Sequence, residues 1–231
     1  MKKQKFTTKV LAEVAIFAAL AFALDALQGG MWRGVFVNGG SIGLAMLPIL
    51  VISYRRGLVP GLLCGLIVSL VQMLGGIYVI NASNYEGAMK VLGPFFQIGL
   101  DYVLAYTVVG FAGAFHFLFE KEEDIKSKII WIIIGTVVAG LLKYMCQVLA
   151  GGFFWLGDGS DAFMGVNNAT WAYSFVYNGA YSIPNIILCT GIMVLIAKVY
   201  PQFLKVNDTL IAKEEAIDAE ATTIKEDNVN E

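Results

Sequence analysis

The chain has 231 residues, 58% of them hydrophobic and 15% charged, with a mean hydropathy of +0.70 and a formal net charge of −2. That balance excludes an ordinary soluble domain, where about a quarter of the residues are charged, and identifies an integral membrane protein with the lipid bilayer as solvent. No basic excess exists to hold nucleic acid, and none is expected as a partner.

A membrane-crossing helix needs about 20 mainly apolar residues. Six windows meet this condition: 8–27, 35–53, 57–75, 92–119, 129–150 and 171–199. The expected fold is therefore all-α, a polytopic bundle of six transmembrane helices over residues 1–200. In the first window, 1-MKKQKFTTKVLAEVAIFAALAFAL-24 has the basic front and apolar middle of a signal peptide. Glu13 inside the run, and the length of the run, favour a retained span. Ala15, Ala19 and Ala23 recur every four residues, a stripe that lets another helix approach closely in lipid. Packing inside the bundle would produce the same periodicity. The second and third windows are joined by the tight, basic 54-YRRG-57. Cys64, Cys146 and Cys189 fall inside spans at wide spacings and read as packing residues rather than disulfide or metal ligands.

Two outer connections, 76-GIYVINASNYEGAMK-90 and 151-GGFFWLGDGSDAFMGVNNAT-170, are longer than adjacent helices need and are rich in Gly, Asn, Asp and aromatics, as a lid would be. Asn81 and Asn168 match the glycosylation pattern and are read as chance occurrences. The acidic stretch 201–231 has few aromatics and reads as a disordered cytoplasmic tail. Lysine and arginine set the orientation. Lys2, Lys3, Lys5, Lys9, Arg55, Arg56, Lys121, Lys126 and Lys128 lie on one side with the tail lysines, whereas Arg33 and Lys90 lie on the other. This bias places both termini in the cytoplasm of a multi-pass plasma-membrane protein.

Orientation converts position into depth. At about 1.5 Å per helical residue, Asp101 lies roughly 13 Å below the outer surface, Lys143 and Asn178 roughly 10 Å, and Gln147 roughly 5 Å. Lys143 and Gln147 share a helix face, as do Gln97 and Asp101, and as do Tyr173, Tyr177 and Tyr181. An ionisable group in lipid costs at least about 2.5–3.5 kcal/mol, so Lys143 is expected to face inward with Asp101 as its counter-charge. A structural ion pair with Gln97, Gln147 and Asn178 as interhelical glue is one reading. The other is a cation-binding cage, because Trp32, Tyr78, Tyr102, Trp155, Tyr173 and Tyr177 all fall near the outer surface. No catalytic constellation is present. His116 stands far from any nucleophile signal, and 135-GTVVAG-140 has the glycine spacing of a phosphate loop but lacks its ending. Neither an enzyme nor a resident cofactor is expected.

The elements 15-AIFAALAF-22, 48-PILVISYRRG-57, 76-GIYVI-80, Asp101-Tyr102, 141-LLKYMCQVLAGGFFW-155 and 172-AYSFVYNG-179 resemble the thiamine-specific substrate-binding (S) component of energy-coupling-factor vitamin transporters, over roughly residues 8–200. The resemblance implies thiamine held near the extracellular surface. Asp101 would face the thiazolium, and Trp155 and Trp32 would supply stacking surfaces. Tyr78, Tyr102, Lys143, Tyr173 and Asn178 would give polar or edge contacts, with Gln147 standing where the family tends to have histidine. It also implies that the Ala15, Ala19 and Ala23 stripe docks a transmembrane coupling (T) subunit energised by two ATPase subunits. The family's usual acid is glutamate, so Asp101 keeps the charge with a shorter reach. Two alternatives stay open: an S component for another flat vitamin or precursor, and a self-contained carrier or channel with Asp101 and Lys143 as an ion relay.

Overall fold

The structure is a computed structural model and describes residues 7–79 and 86–205. Six helical segments form one bundle. They are α1 (Thr8–Trp32), α2 (Met46–Arg56), α3 (Leu58–Leu74), α4 (Met89–Lys121), α5 (Ile125–Phe154) and α6 (Trp171–Val199). Among the described residues, α1, α4, α5 and α6 are long and apolar enough to cross a membrane. Two starts are capped by side chains: the Thr7 hydroxyl accepts from Val10 N–H at the head of α1, and the Asp124 carboxylate accepts from Ser127 N–H at the head of α5. The core is built from Ile49, Leu50, Tyr54, Val68, Ile132 and Met193, with Cys64 and Cys189 buried among them.

The second expected span is corrected. Residues 33–45 are not helical, and α2 begins only at Met46. Its 11 residues cover about 16 Å, half the hydrocarbon thickness. The apolar content that filled the window belongs to an irregular segment pressed into the bundle, whose backbone is satisfied by side chains of α1 and α6. Gln28 Oε1 accepts from Ala45 N–H at 3.1 Å, and Gln28 Nε2 donates to Ser41 Oγ at 2.8 Å. Asn185 brackets the same stretch, accepting from Gly43 N–H at 2.7 Å and donating to Ser41 O at 2.8 Å. A buried loop is tolerated only when its polar groups find such partners.

Helix α4 is not uniform. A π-helical turn at Gly99–Val103 and a 3₁₀ stretch at Val108–Phe115 interrupt it. The 3₁₀ stretch lies against α3 with almost no side chain between them. A Cβ on Gly110 would collide with the backbone of Gly61 and Leu62, and one on Gly65 with the backbone of Tyr106 and Thr107. Inward of this contact, Gly57 takes a positive φ of 85° and turns α2 directly into α3.

The end of the bundle that carries the α2–α3 turn is clasped by one carboxylate. Glu13 of α1 receives Arg55 Nε at 3.1 Å and Arg56 at 2.7–2.8 Å, while Arg55 also donates to Phe203 O and Lys205 O. His116 Nδ1 lies 2.7 Å from Tyr54 O and its Nε2 lies 3.2 Å from Glu120, both at the inner end of α4. Pro201–Leu204 forms a short 3₁₀ turn with Leu204 buried, so the packed chain extends past 200; the rest of the expected tail, 206–231, lies outside the described residues.

Candidate ligand-binding site

Asp101 and Tyr102 sit on the π-helical turn of α4, the kind of helix irregularity that recurs at functional sites. The Asp101 carboxylate accepts from Trp155 Nε1 at 2.6 Å and is also hydrogen-bonded by Gln97. Gln97 Nε2 donates to Tyr78 O at 2.9 Å, and Tyr78 N–H donates to the Tyr102 hydroxyl at 2.9 Å. The Tyr78 and Trp155 rings lie 5.3 Å apart at 44°. Four expected site residues (Tyr78, Asp101, Tyr102 and Trp155) therefore meet in one group. Gln97 is fully buried behind it, while Trp155 and Tyr78 are exposed at its rim. The group presents a carboxylate fixed by neutral donors beside aromatic faces, the chemistry that attracts an organic cation.

A second aromatic group stands on α6. Tyr173 and Tyr177 stack at 5.5 Å and 17°, and Phe36 contacts Trp32, Tyr177 and Tyr181 at 5.3–5.9 Å. The 33–45 segment is tied to it by Asn38 N–H donating to the Tyr177 hydroxyl, which in turn donates to Gly39 O. Between α5 and α6 a two-residue hairpin, Ala162–Phe163 with Val166–Asn167, sets Phe163 against Phe36 and Tyr177. Trp32 and Tyr173 thus belong to this group and not to the Asp101 group. Tyr181 extends this group toward α5: its hydroxyl donates to Asn178 Oδ1, and Asn178 Nδ2 reaches Gln147 O.

Gln147 and Asn178 are turned into the α5–α6 interface. Asn178 Nδ2 donates to Ser174 O at 2.9 Å and Gln147 O at 3.3 Å, while Gln147 Oε1 accepts from Ser182 Oγ at 3.1 Å. Their side chains join helices, as the glue reading expects.

Lys143 is buried and inward-facing, but its expected pairing with Asp101 is corrected. Among the described residues it forms no ion pair with Asp101; its ammonium lies 4.6 Å from the Tyr106 ring centroid. Asp25 of α1 is tied to the same Tyr106 side chain. Asp25 itself accepts from the Tyr106 hydroxyl and Gln72 Nε2. Asp25, Gln72 and Tyr106 are absent from the residues picked out by sequence. An acidic residue near the end of an apolar window is the signal that would have found Asp25.

Ala15, Ala19 and Ala23 are exposed on the outside of the bundle, while Val10, Val14, Ala18 and Ala21 form the buried face of α1. Internal packing therefore does not account for the stripe.

Residues 11–205 match the family model described as thiamine transporter protein (Thia_YuaJ). The chain belongs to this thiamine transporter family. It is 31% identical over 199 residues to the thiamine transporter ThiT of Bacillus subtilis (strain 168), a match covering 84% of this chain and 93% of that protein. It is 29% identical over 204 residues to ThiT of Lacticaseibacillus paracasei, covering 86% and 92%. A solved structure of ThiT from Listeria monocytogenes superposes with a TM-score of 0.63 at 27% identity, over 85% of this chain and 97% of that one. Membership of the thiamine transporter family, with its apolar helices, makes this a multi-pass protein of a bacterial cell membrane.

Proposed function

We propose that this thiamine transporter family member is a substrate-binding S component that captures thiamine from the outer side and passes it inward with an energising module. The observation that carries the reading is the Asp101 carboxylate, held at 2.6 Å by an indole N–H beside the exposed Trp155 and Tyr78 rings. Thiamine carries a permanent cation and flat rings, which a carboxylate and aromatic faces complement. In this reading both termini are cytoplasmic, and the second crossing is made by the 33–45 segment together with α2. Non-helical backbone is permitted at membrane depth where protein side chains satisfy it, as Gln28 and Asn185 do. The exposed alanine face of α1 is the docking surface for a T subunit with two ATPase subunits, and the chain catalyses nothing itself. The test is titration of the purified chain with thiamine and with riboflavin, followed by tryptophan emission, since Trp155 lies in the site. Saturable quenching by thiamine alone is expected. A folded chain that gives no thiamine response refutes the reading, and uptake that persists without ATPase subunits favours a self-contained carrier.

A further inference from the structure

The bundle interior holds a second carboxylate, Asp25, to which the ligand reading gives no task. Its hydrogen-bond donors, the Tyr106 hydroxyl and Gln72 Nε2, are both neutral, so its charge is held in place but not cancelled. The Lys143 ammonium lies over the ring of the same Tyr106, 4.6 Å from its centroid. One aromatic ring therefore connects the buried ammonium to Asp25 on α1. Among the described residues, the donors that hold Asp101, Trp155 and Gln97, are likewise neutral. Among the described residues Lys143 forms no ion pair with Asp101, so the ammonium rests on the ring of Asp25's own donor and not on the Asp101 carboxylate.

With both carboxylates ionised and Lys143 protonated, the three groups carry one net negative charge. Where that charge resides decides what the site binds. If Lys143 neutralised Asp101, an entering cation would compete with an ammonium already in place. With Lys143 drawn toward Asp25, Asp101 stays unneutralised and one monovalent cation completes the balance.

We propose that Asp25 is a positioning residue for ligand binding: it retains Lys143 over Tyr106, on the α1 side, and so reserves the Asp101 charge for a monovalent organic cation. This rests on the thiamine reading above. Asn at position 25 keeps an acceptor oxygen for Tyr106 and Gln72 while removing the charge. Asp25→Asn should weaken thiamine binding by about tenfold or more, because Lys143 then turns to Asp101. The aminopyrimidine alcohol fragment of thiamine, which lacks the thiazolium, should change by less than about threefold. Adding Lys143→Met to Asp25→Asn should restore most of the thiamine affinity. Equal losses for both ligands, no loss at all, or no rescue by Lys143→Met would overturn the proposal. A ligand-free arm separates it from the thiamine reading. Melting temperatures of Asp25→Asn, Asp101→Asn and Lys143→Met, singly and in pairs, should give a larger Lys143 coupling to Asp25 than to Asp101. The reverse order would refute the proposal whether or not thiamine binds, whereas wild-type chain that ignores thiamine refutes only the ligand assignment.

Discussion

Replacing Asp101 by Asn removes one charge and leaves the geometry of the site in place. Asn Oδ1 can still accept the Trp155 indole N–H, which donates at 2.6 Å in the native chain, so the Trp155 and Tyr78 rings keep their arrangement. What is lost is the attraction between a carboxylate and a cation. At a separation of about 5 Å and an effective dielectric of about 20, that attraction is about 3 kcal/mol. The rim is open, with Trp155 37% and Tyr78 69% exposed, so water screens part of it. A loss of ~1–2 kcal/mol remains, raising the Kd for thiamine by roughly 5- to 30-fold. Lys143→Met should cost less, since Lys143 lies over the Tyr106 ring and forms no ion pair with Asp101 among the described residues. The assay is tryptophan-monitored titration of detergent-purified variants, with melting curves to show that each is folded. A folded Asp101→Asn protein with unchanged thiamine affinity would refute the cation site.

Ala19→Trp should abolish co-purification with the T subunit and thiamine uptake while leaving the Kd of the isolated chain unchanged, because α1 exposes this residue outside the bundle. Loss of binding as well would mean that the α1 face supports the pocket. Gly110→Ala places a methyl group against the backbone of Gly61 and Leu62, where neither strand of chain can yield, and should destabilise the fold by about 1–3 kcal/mol. A thermal transition at the native temperature would contradict that contact. Glu13→Gln leaves the Arg56 side chain, only 4% exposed, without its counter-charge, and should cost about 3 kcal/mol in thermal unfolding with little effect on ligand.

Composition and window length were enough to place α5 and α6, and α6 runs over the expected 171–199. Lys143 was also legible, because the expense of an ammonium in lipid dictates that it faces inward. Its partner was not. Depth matching compared only the polar residues of the last three spans, and the apolar average over 8–27 concealed Asp25. The second span failed for a related reason. Val35, Phe36, Val37, Ile42 and Leu44 raise the window's hydropathy as a helix would, but whether apolar backbone coils or extends depends on distant hydrogen-bonding partners such as Gln28 and Asn185. The grouping of Tyr78, Tyr102 and Trp155 with Asp101 was expected from chemistry and resemblance, whereas the turn of Gln147 and Asn178 into the α5–α6 interface depends on how α5 and α6 are rotated against each other. No periodicity in the sequence reveals the π-helical turn, since it changes phase by a single residue.

That turn divides α4 mechanically. Below it, the glycine contact with α3 locks the inner half in one angular setting; above it, the extra residue lets Gln97 take a different phase and reach back toward Asp101 and Tyr78. Each residue of an α-helix advances the angle by about 100°. Deleting one residue between Gly99 and Val103 would swing the outer half through that angle, parting Gln97 from Tyr78 while the inner half stayed meshed with α3. The Asp101 group and the core are thus geared separately on one helix, and a one-residue change in length can retune that group without loosening the core.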